Sequence, residues 1–262
     1  MKRSVVLTGG ATGMGAATAA RLRASGADVT VLDVVEPEDA FDFVACDLSD
    51  RASIDSAIAR LPATIDALVN VAGIARATDM TDVLAVNFLG LRHLSEAALP
   101  RIRSAGSIVI VASTAGHDWR NRRDDVGAVL DTADFATGRG WLVANRGAWE
   151  DNPYKFSKQC AAAYTHRLSG TALAHGVRVN CVNPGAVQTQ LTPAFQDLLG
   201  PEMYDWGVAQ IGRHAQPDDV AEVIAFLASD TCRWLNGVEI TVDGGYLSGL
   251  FGGWIDLEQA PG

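Results

Sequence analysis

The sequence is short of cysteine and contains no long apolar run. Its four cysteines, Cys46, Cys160, Cys181 and Cys232, lie far apart without CxxC spacing, which favours neither a metal cluster nor a disulfide framework. Nowhere do 18 apolar residues run together, and the apolar run before Gly9 is too short for a signal peptide. We therefore expect no metal site, no membrane span and a cytoplasmic location.

Basic residues are also scarce relative to acidic ones. Lys and Arg together number 21 against 31 Asp and Glu, so the net charge is −10. A chain of this charge is repelled by nucleic-acid phosphates and by anionic lipid surfaces, and we expect neither as a partner. What the sequence does contain is 48% hydrophobic residues, enough to bury one large core in a single domain over residues 1–262.

Short β-rich runs alternate with helical patterns along most of the chain. The β-rich runs are SVVLT, DVTVLD, IDALVN, GSIVIVAS, VRVNCV and GVEITV, and helical patterns lie near 50–60, near 82–103 and around QPDDVAEVIAFLAS. The runs are almost entirely apolar, as strands covered by helices on both faces must be. This pattern predicts an α/β fold with a single Rossmann-like, doubly wound parallel sheet and helices on both of its faces.

The turn after the first β-rich run, TGGATGMG over residues 8–15, is rich in glycine. Gly9, Gly13 and Gly15 permit a tight turn in which backbone amides approach a pyrophosphate at a helix N-terminus. Asp33 ends the second run, 18 residues after Gly15, where a carboxylate accepts both hydroxyls of an adenosine ribose and repels a 2′-phosphate. Together they predict NAD, rather than NADP, as the cofactor.

Tyr154 and Lys158 stand four positions apart in the stretch YKFSK, so on a helix they share one face. At about 6 Å and an effective dielectric constant of about 20, the lysine charge stabilises a phenolate by roughly 3 kcal/mol, about two pK units. Ser113 ends the run GSIVIVAS, at the edge of the sheet where ligands bind. The pair is either an acid/base site or an ordinary pair on a solvated helix, and Ser113 favours the former.

Taken in order, these motifs resemble the short-chain dehydrogenase/reductase family. The matching stretches are TGxxxGxG at 8–15, Asp33, CDL at 46–48, NVAG at 70–73, Asn87, Ser113, Tyr154 with Lys158, NPGAVQT at 183–189 and VDGG at 242–245. The resemblance implies that Tyr154 is the general acid/base and that Ser113 orients the substrate oxygen. It also implies that Lys158 lowers the pKa of the phenol and binds the nicotinamide ribose, and that Asn87 holds a water of the proton relay.

The same resemblance implies the residues that contact the cofactor. These are Gly9, Thr12, Gly13, Met14, Gly15, Asp33, Asp47, Leu48, Asn70, Ala72, Gly73, Tyr154, Lys158, Val187 and Thr189. Hydride passes directly between the cofactor and a carbon atom in this family, so no metal is expected.

Ser113 and Tyr154 are 41 positions apart, more than the family ordinarily uses. The intervening segment 116–152 has helical patterns around Val126 to Phe135 and near Gly140 to Ala148, which predict a helical insertion. In the family, the helix of the catalytic tyrosine packs against a partner subunit. An insertion that covers this helix would block the usual tetramer, so we expect a homodimer formed through another surface.

The insertion is similar to that of the bacterial 3α-hydroxysteroid dehydrogenase/carbonyl reductase subgroup, which oxidises ring alcohols and reduces ketones. A flexible substrate-loop region at 190–212 and an apolar tail at 246–262 are expected to close over an apolar substrate. We therefore predict a neutral cyclic secondary alcohol or ketone, such as a 3α-hydroxysteroid, as substrate. A cyclic monoterpene alcohol suits the same residues, and a non-catalytic regulator that senses NAD is a more remote alternative.

Overall fold

Seven parallel strands form one sheet in the computed structural model, which describes residues 2–261. The strands are β1 (Ser4–Thr8), β2 (Asp28–Asp33), β3 (Asp42–Ala45), β4 (Ile65–Asn70), β5 (Ile102–Val111), β6 (Arg178–Pro184) and β7 (Glu239–Val242). Their order across the sheet is β3-β2-β1-β4-β5-β6-β7, which confirms the predicted Rossmann-like parallel sheet.

Eleven α-helices lie in the described part of the chain. They are α1 (Gly13–Ala24), α2 (Arg51–Arg60), α3 (Met80–Leu84), α4 (Leu91–Ala98), α5 (Arg123–Leu130), α6 (Phe135–Ala144), α7 (Pro153–Ala172), α8 (Thr192–Leu199), α9 (Pro201–Ile211), α10 (Pro217–Ala228) and α11 (Tyr246–Gly252). A π-helical turn, Ala85–Gly90, joins α3 to α4. No helix over residues 2–261 has both the length and the apolar character needed to cross a bilayer.

Two hydrophobic cores cover the two faces of the sheet because successive strand residues point to opposite sides. In β1, Val5 and Leu7 pack on the side of α1 and α10, whereas Val6 packs on the side of α2, α4 and α7. All three side chains are fully buried. The nearly unbroken apolar runs of the sequence therefore reflect strands that are buried on both faces.

The strand order reverses direction between β1 and β4. The chain winds outward from β1 to β2 and β3, returns to β4, and then proceeds to β5, β6 and β7. The loops that leave β1 and β4 consequently diverge and open a crevice at the carboxyl ends of the strands. Thr8 and Asn70 pair in register at this edge, so the glycine-rich turn and the NVAG stretch begin side by side.

The segment between Ser113 and Tyr154 forms helices, as predicted, but with different bounds. The first helix ends at Leu130 instead of extending to Phe135, because Asp134 begins the second helix with a capping box that includes Thr137. Arg92 of α4 donates to the carbonyl oxygens of Val129 and Thr132 at 3.3 and 3.2 Å and so satisfies the end of α5.

The insertion covers α7. Residues 156–165 of that helix are buried without interruption, so every face of its middle turns is covered. Val126, Val129, Leu142 and Trp149 of the insertion belong to the same hydrophobic core as the α7 residue Tyr164. The middle turns of α7 are therefore covered by the chain itself.

Three other expectations differ from the structure. The segment 190–212, expected as a flexible loop, contains the helices α8 and α9. The helical pattern near 82–103 is interrupted by the π-helical turn, and β5 already begins at Ile102. The short strand β3, at the edge of the sheet, has no counterpart among the predicted strands.

Candidate active site

The glycine-rich turn forms a cradle at the N-terminus of α1. Gly9 and Gly13 have φ angles of 74° and 55°, which favour glycine, and a Cβ on Gly15 would lie 1.8 Å from the Gly9 carbonyl oxygen. Thr12 precedes the helix without a side-chain cap, and the first turn carries no acidic residue. The backbone amide groups of this first turn can therefore bind an anion. The glycine-rich turn fits the pyrophosphate of a dinucleotide.

Asp33 is held rigidly at the end of β2. One carboxylate oxygen accepts a hydrogen bond from the Ala11 amide at 3.0 Å, and the other accepts from the Val34 amide at 2.7 Å. Val34 and Val35, which follow it, are 67% and 60% exposed. The carboxylate is fixed next to the glycine-rich turn, where the family resemblance implies that an adenosine ribose binds.

Thr8 joins the two loops of the crevice, although the motif pattern did not single it out. Its hydroxyl accepts hydrogen bonds from the amides of Val71 and Ala72 at 3.1 and 3.2 Å. A Cβ on Gly9 would also lie only 2.6 Å from the Ala72 Cα, so glycine is required for this close approach. Thr8 is the threonine that begins the TGxxxGxG stretch, so the motif contains the signal that could have identified it.

The Asn70 side chain does not reach into the crevice. It is 2% exposed and donates to the Ser95 hydroxyl at 3.1 Å on the α4 side of the sheet. Any contact of Asn70 with a cofactor must therefore come from its backbone. Of the two residues expected near adenine, Leu48 is buried, whereas Asp47 is exposed and accepts from the amide and hydroxyl of Ser49.

Tyr154 and Lys158 lie together in the first turns of α7, as their spacing predicts. The Lys158 ammonium nitrogen is 5.7 Å from the centre of the Tyr154 ring and donates to the Val111 carbonyl oxygen at 3.1 Å. The Asn152 side chain caps the helix by accepting from the Lys155 amide at 2.9 Å. The end of β5 and the start of α7 thus bring the pair next to Ser113.

The acidity of Tyr154 differs from the sequence expectation. Burial raises the pKa of Tyr154 to about 12, and hydrogen bonding to Ser113 opposes this rise only in part. Burial also lowers the pKa of Lys158 to about 8, since Lys158 is only 4% exposed. In the protein alone, the lysine charge therefore does not compensate for the desolvation that disfavours a phenolate at this position.

Asn87 holds the loop that follows the NVAG stretch. Its amide nitrogen donates to the Ile74 carbonyl oxygen at 2.9 Å and to the Ser157 hydroxyl at 3.0 Å, while its oxygen accepts from the Ile74 amide at 2.8 Å. The π-helical turn places this buried side chain between the loop and α7. The described contacts give Asn87 a positioning role in addition to the water-holding role that the resemblance implies.

The NPGAVQT stretch completes the crevice after β6. Val187 forms an isolated parallel bridge with Ala215, and the Thr189 amide donates to the Thr192 hydroxyl at 3.0 Å. A Cβ on Gly13 would lie 3.4 Å from the Thr189 methyl group. The segment implied to hold the carboxamide therefore lies directly against the glycine-rich turn.

Phe195 and Arg76 also border the site, and the sequence pattern had assigned a role to neither. The Phe195 ring on α8 packs edge-to-face against Tyr154, with ring centres 5.0 Å apart. Arg76, on the loop after β4, forms an ion pair with Asp197 of α8 at 3.1 Å. Among residues 2–261, no cluster of three His, Cys, Asp or Glu side chains could hold a metal ion.

The chain is similar to known proteins over nearly its whole length. Residues 3–123 match the family described as short chain dehydrogenase, and residues 140–247 match that described as enoyl-(acyl carrier protein) reductase. A coniferyl-alcohol dehydrogenase of Pseudomonas sp. strain HR199 is 39% identical, over 94% of this chain and 97% of that protein. The 3-alpha-hydroxysteroid dehydrogenase/carbonyl reductase of Comamonas testosteroni is 30% identical, over 92% and 95%.

A solved structure is similar over the whole fold. The 3-alpha-hydroxysteroid dehydrogenase of Pseudomonas sp. B-0831, complexed with NADH, superposes with a TM-score of 0.82 and 29% identity. The match covers 97% of this chain and 100% of that chain.

Proposed function

The chain belongs to the short-chain dehydrogenase family, and from that premise we propose that it transfers a hydride between NAD and a neutral ring alcohol or its ketone. Its two sequence relatives are named as dehydrogenases, and the similar solved structure contains NADH, which supports an oxidoreductase with a nicotinamide cofactor. One observation carries the proposal: Tyr154, Lys158 and Ser113 meet beside the dinucleotide cradle at the carboxyl edge of the sheet. This arrangement serves alcohol oxidation and does not suit a regulator that only binds the cofactor.

Tyr154, Ser113 and Lys158 have different roles in the proton transfer. In the oxidative direction the phenolate form of Tyr154 accepts the proton of the substrate hydroxyl and becomes the neutral phenol, while Ser113 donates a hydrogen bond to the same oxygen. Lys158, in its charged form, favours the phenolate and so assists this transfer. Bound NAD would supply the acceptor for the hydride that leaves the carbinol carbon. Asn87 and Ser157 fix the first turn of α7 against the Ile74 loop, so that these groups stay aligned.

The preference for NAD over NADP is supported by Asp33. Its carboxylate is anchored by the Ala11 and Val34 amides, so it cannot turn away from a ribose bound at the end of β2. A 2′-phosphate there would meet a fixed negative charge. The neighbouring Val34 and Val35 supply no compensating positive charge.

A neutral substrate is supported by the surroundings of Tyr154. Phe195 presents an apolar ring to the phenol, and the positive charge of Arg76 is already paired with Asp197. A ring secondary alcohol such as a 3α-hydroxysteroid suits this environment, and a cyclic monoterpene alcohol is the alternative. The 39% identical coniferyl-alcohol dehydrogenase adds an aromatic alcohol as a second candidate.

We propose that the protein is a homodimer. The support is the insertion, which buries the α7 surface through residues such as Val126 and Trp149. A second copy must then bind elsewhere on the molecule. We also propose a cytoplasmic location, since all four cysteines are unpaired and buried, as suits a reducing compartment.

The proposed function is tested by NADH formation from NAD and a panel of alcohols. The panel contains a 3α-hydroxysteroid, coniferyl alcohol, a cyclic monoterpenol, cyclohexanol, 4-hydroxycyclohexanecarboxylate and 2-butanol. We expect neutral ring alcohols to give the highest kcat/KM, above both the charged acid and the acyclic alcohol. Preference for the carboxylate would contradict the neutral site, and inactivity across the panel with NAD bound would contradict the proposed reaction.

A further inference from the structure

Helix α8 contacts two opposite sides of the catalytic crevice. On one side, Phe195 packs on the catalytic Tyr154, with an angle of 68° between the ring planes. On the other side, Asp197 binds Arg76, which lies 121 positions earlier in the chain on the loop that follows β4. Both contacts come from a helix that has no buried residue and contributes to neither hydrophobic core.

These contacts connect α8, the loop of Ile74 and the start of α7 to one another. The Ser157 hydroxyl donates to the Tyr154 carbonyl oxygen at 2.7 Å and accepts from Asn87, which in turn binds Ile74. Two residues after Ile74, Arg76 connects to α8 and so returns to Tyr154 through Phe195. Phe195 provides the apolar contact in this set, since the other connections are hydrogen bonds or an ion pair.

We infer that Phe195 determines specificity by packing against the ring of the substrate, and that the Arg76–Asp197 pair positions it. A substrate hydroxyl must reach hydrogen-bonding distance of the Tyr154 phenol, which places the attached carbon skeleton beside the side chain that already touches Tyr154. A ring skeleton covers Phe195, whereas a short acyclic alcohol reaches the phenol and leaves Phe195 largely uncovered. This inference rests on the proposed function and names the part of the substrate that the site recognises.

The first test compares Phe195→Leu with Phe195→Tyr, which retains the aromatic ring. The measured quantity is the ratio of kcat/KM for the best ring alcohol of the panel to that for 2-butanol. We expect Phe195→Leu to reduce this ratio about fivefold or more, mainly through KM of the ring alcohol, and Phe195→Tyr to preserve it. Leu199→Ala is the control, because Leu199 lies on the same helix with a 55% exposed side chain, and it should leave this ratio unchanged.

An equal loss for ring and acyclic alcohols in Phe195→Leu would overturn the inference, because Phe195 would then only support Tyr154. Inactivity of the unmodified enzyme on every alcohol would instead contradict the proposed function. Binding of NAD, measured by calorimetry, shows that each variant is folded. The two failures are thus distinguishable.

The second test addresses the ion pair. Asp197→Asn and Arg76→Gln are expected to raise KM for the ring alcohol about two- to threefold with kcat unchanged, since the pair is exposed and screened by salt. The exchanged variant Arg76→Asp/Asp197→Arg should recover the original KM. Salt should raise KM of the unmodified enzyme and leave Asp197→Asn unaffected. An unchanged KM in Asp197→Asn would overturn the positioning role.

Discussion

Lys158 and Tyr154 share one face of α7, with the ammonium nitrogen 5.7 Å from the centre of the phenol ring. Neither group has its ordinary pKa in this position, because burial raises the pKa of the phenol to about 12 and lowers the pKa of the amine to about 8. Burial thus disfavours the charged form of each group, although an amine with a pKa of about 8 is still largely charged at neutral pH. Such paired perturbations are typical of catalytic acids and bases.

Replacing Tyr154 with Phe removes the proton acceptor and leaves the shape of the site intact. We expect kcat to fall at least about a hundredfold, the usual size of a general acid/base contribution, with NAD affinity within twofold of the original. Steady-state kinetics and calorimetry measure the two quantities. Tyr164→Phe is the matched control, since Tyr164 lies on the same helix and donates to Glu96 away from the crevice. Full activity in Tyr154→Phe would refute the assigned role.

Replacing Asp33 with Ala removes the charge at the end of β2. The preference for NAD over NADP should fall about tenfold or more, because hydrogen bonds to a charged group typically contribute 1.5–3 kcal/mol. The measurement is kcat/KM with each cofactor at a fixed alcohol concentration. Asp28→Asn, at the exposed start of the same strand, should leave the preference unchanged. Comparable kcat/KM for NADP in the unmodified enzyme would show that Asp33 does not select the cofactor.

Replacing Lys158 with Met should inactivate the enzyme and stabilise its fold at neutral pH. Burial lowers the pKa of Lys158 from its ordinary value of 10.5 to about 8, so below pH 8 the folded protein carries a buried charge. The cost corresponds to about 3 kcal/mol, partly offset by the lost hydrogen bond to Val111. Melting temperature at pH 7 should therefore rise by a few degrees.

The pH dependence of this stabilisation identifies its cause. The unfolded chain binds the Lys158 proton more tightly, so the cost is full below about pH 8, shrinks as pH rises and disappears above about 10.5. The gain in folding stability from Lys158→Met should shrink over the same pH range. Lys155→Met, which removes the ion pair with Asp118, should instead lower stability slightly. A gain in stability that is the same at all pH values would show that better packing, and not removal of the buried charge, stabilises the variant.

The covered α7 predicts the assembly state. Light scattering should give twice the mass of one chain, and the value should persist over a tenfold dilution. Substituting Cys160, which is buried on α7, with a bulkier residue should destabilise the fold without changing subunit association, because its neighbours belong to the same chain. A stable tetramer joined through α7 would contradict this prediction.

Much of the fold follows from the sequence because the central strands are buried on both faces. Their apolar runs identify β1, β2, β4, β5 and β6 without further information, whereas β7, at one edge of the sheet and only partly buried, is identified by the β-branched residues of GVEITV. The edge strand β3 was missed because it has only four residues, Asp42–Ala45, of which Val44 alone is buried, and because it pairs with β2 alone. The break between α5 and α6 was misplaced because the carbonyl groups there are satisfied by Arg92, a contact from a distant helix.

The site was predictable where a motif fixes both the residue and its spacing. Tyr154 and Lys158 lie together because helical geometry places residues four apart on one face. The orientation of Asn70 was not predictable, since both faces of β4 are buried and only packing selects the side of Ser95. Phe195 was missed because its contact with Tyr154 depends on where α8 lies, and no pattern in the sequence fixes that position for two residues 41 positions apart.

The insertion also changes how activity should respond to concentration. Because α7 is packed by residues of its own chain, including Val129 and Leu142, the catalytic helix is complete before any second subunit arrives. Dissociation of subunits on dilution should therefore not disturb the alignment of Tyr154. Specific activity should stay constant into the nanomolar range, where an enzyme whose catalytic helix is completed by a neighbour would lose activity on dissociation.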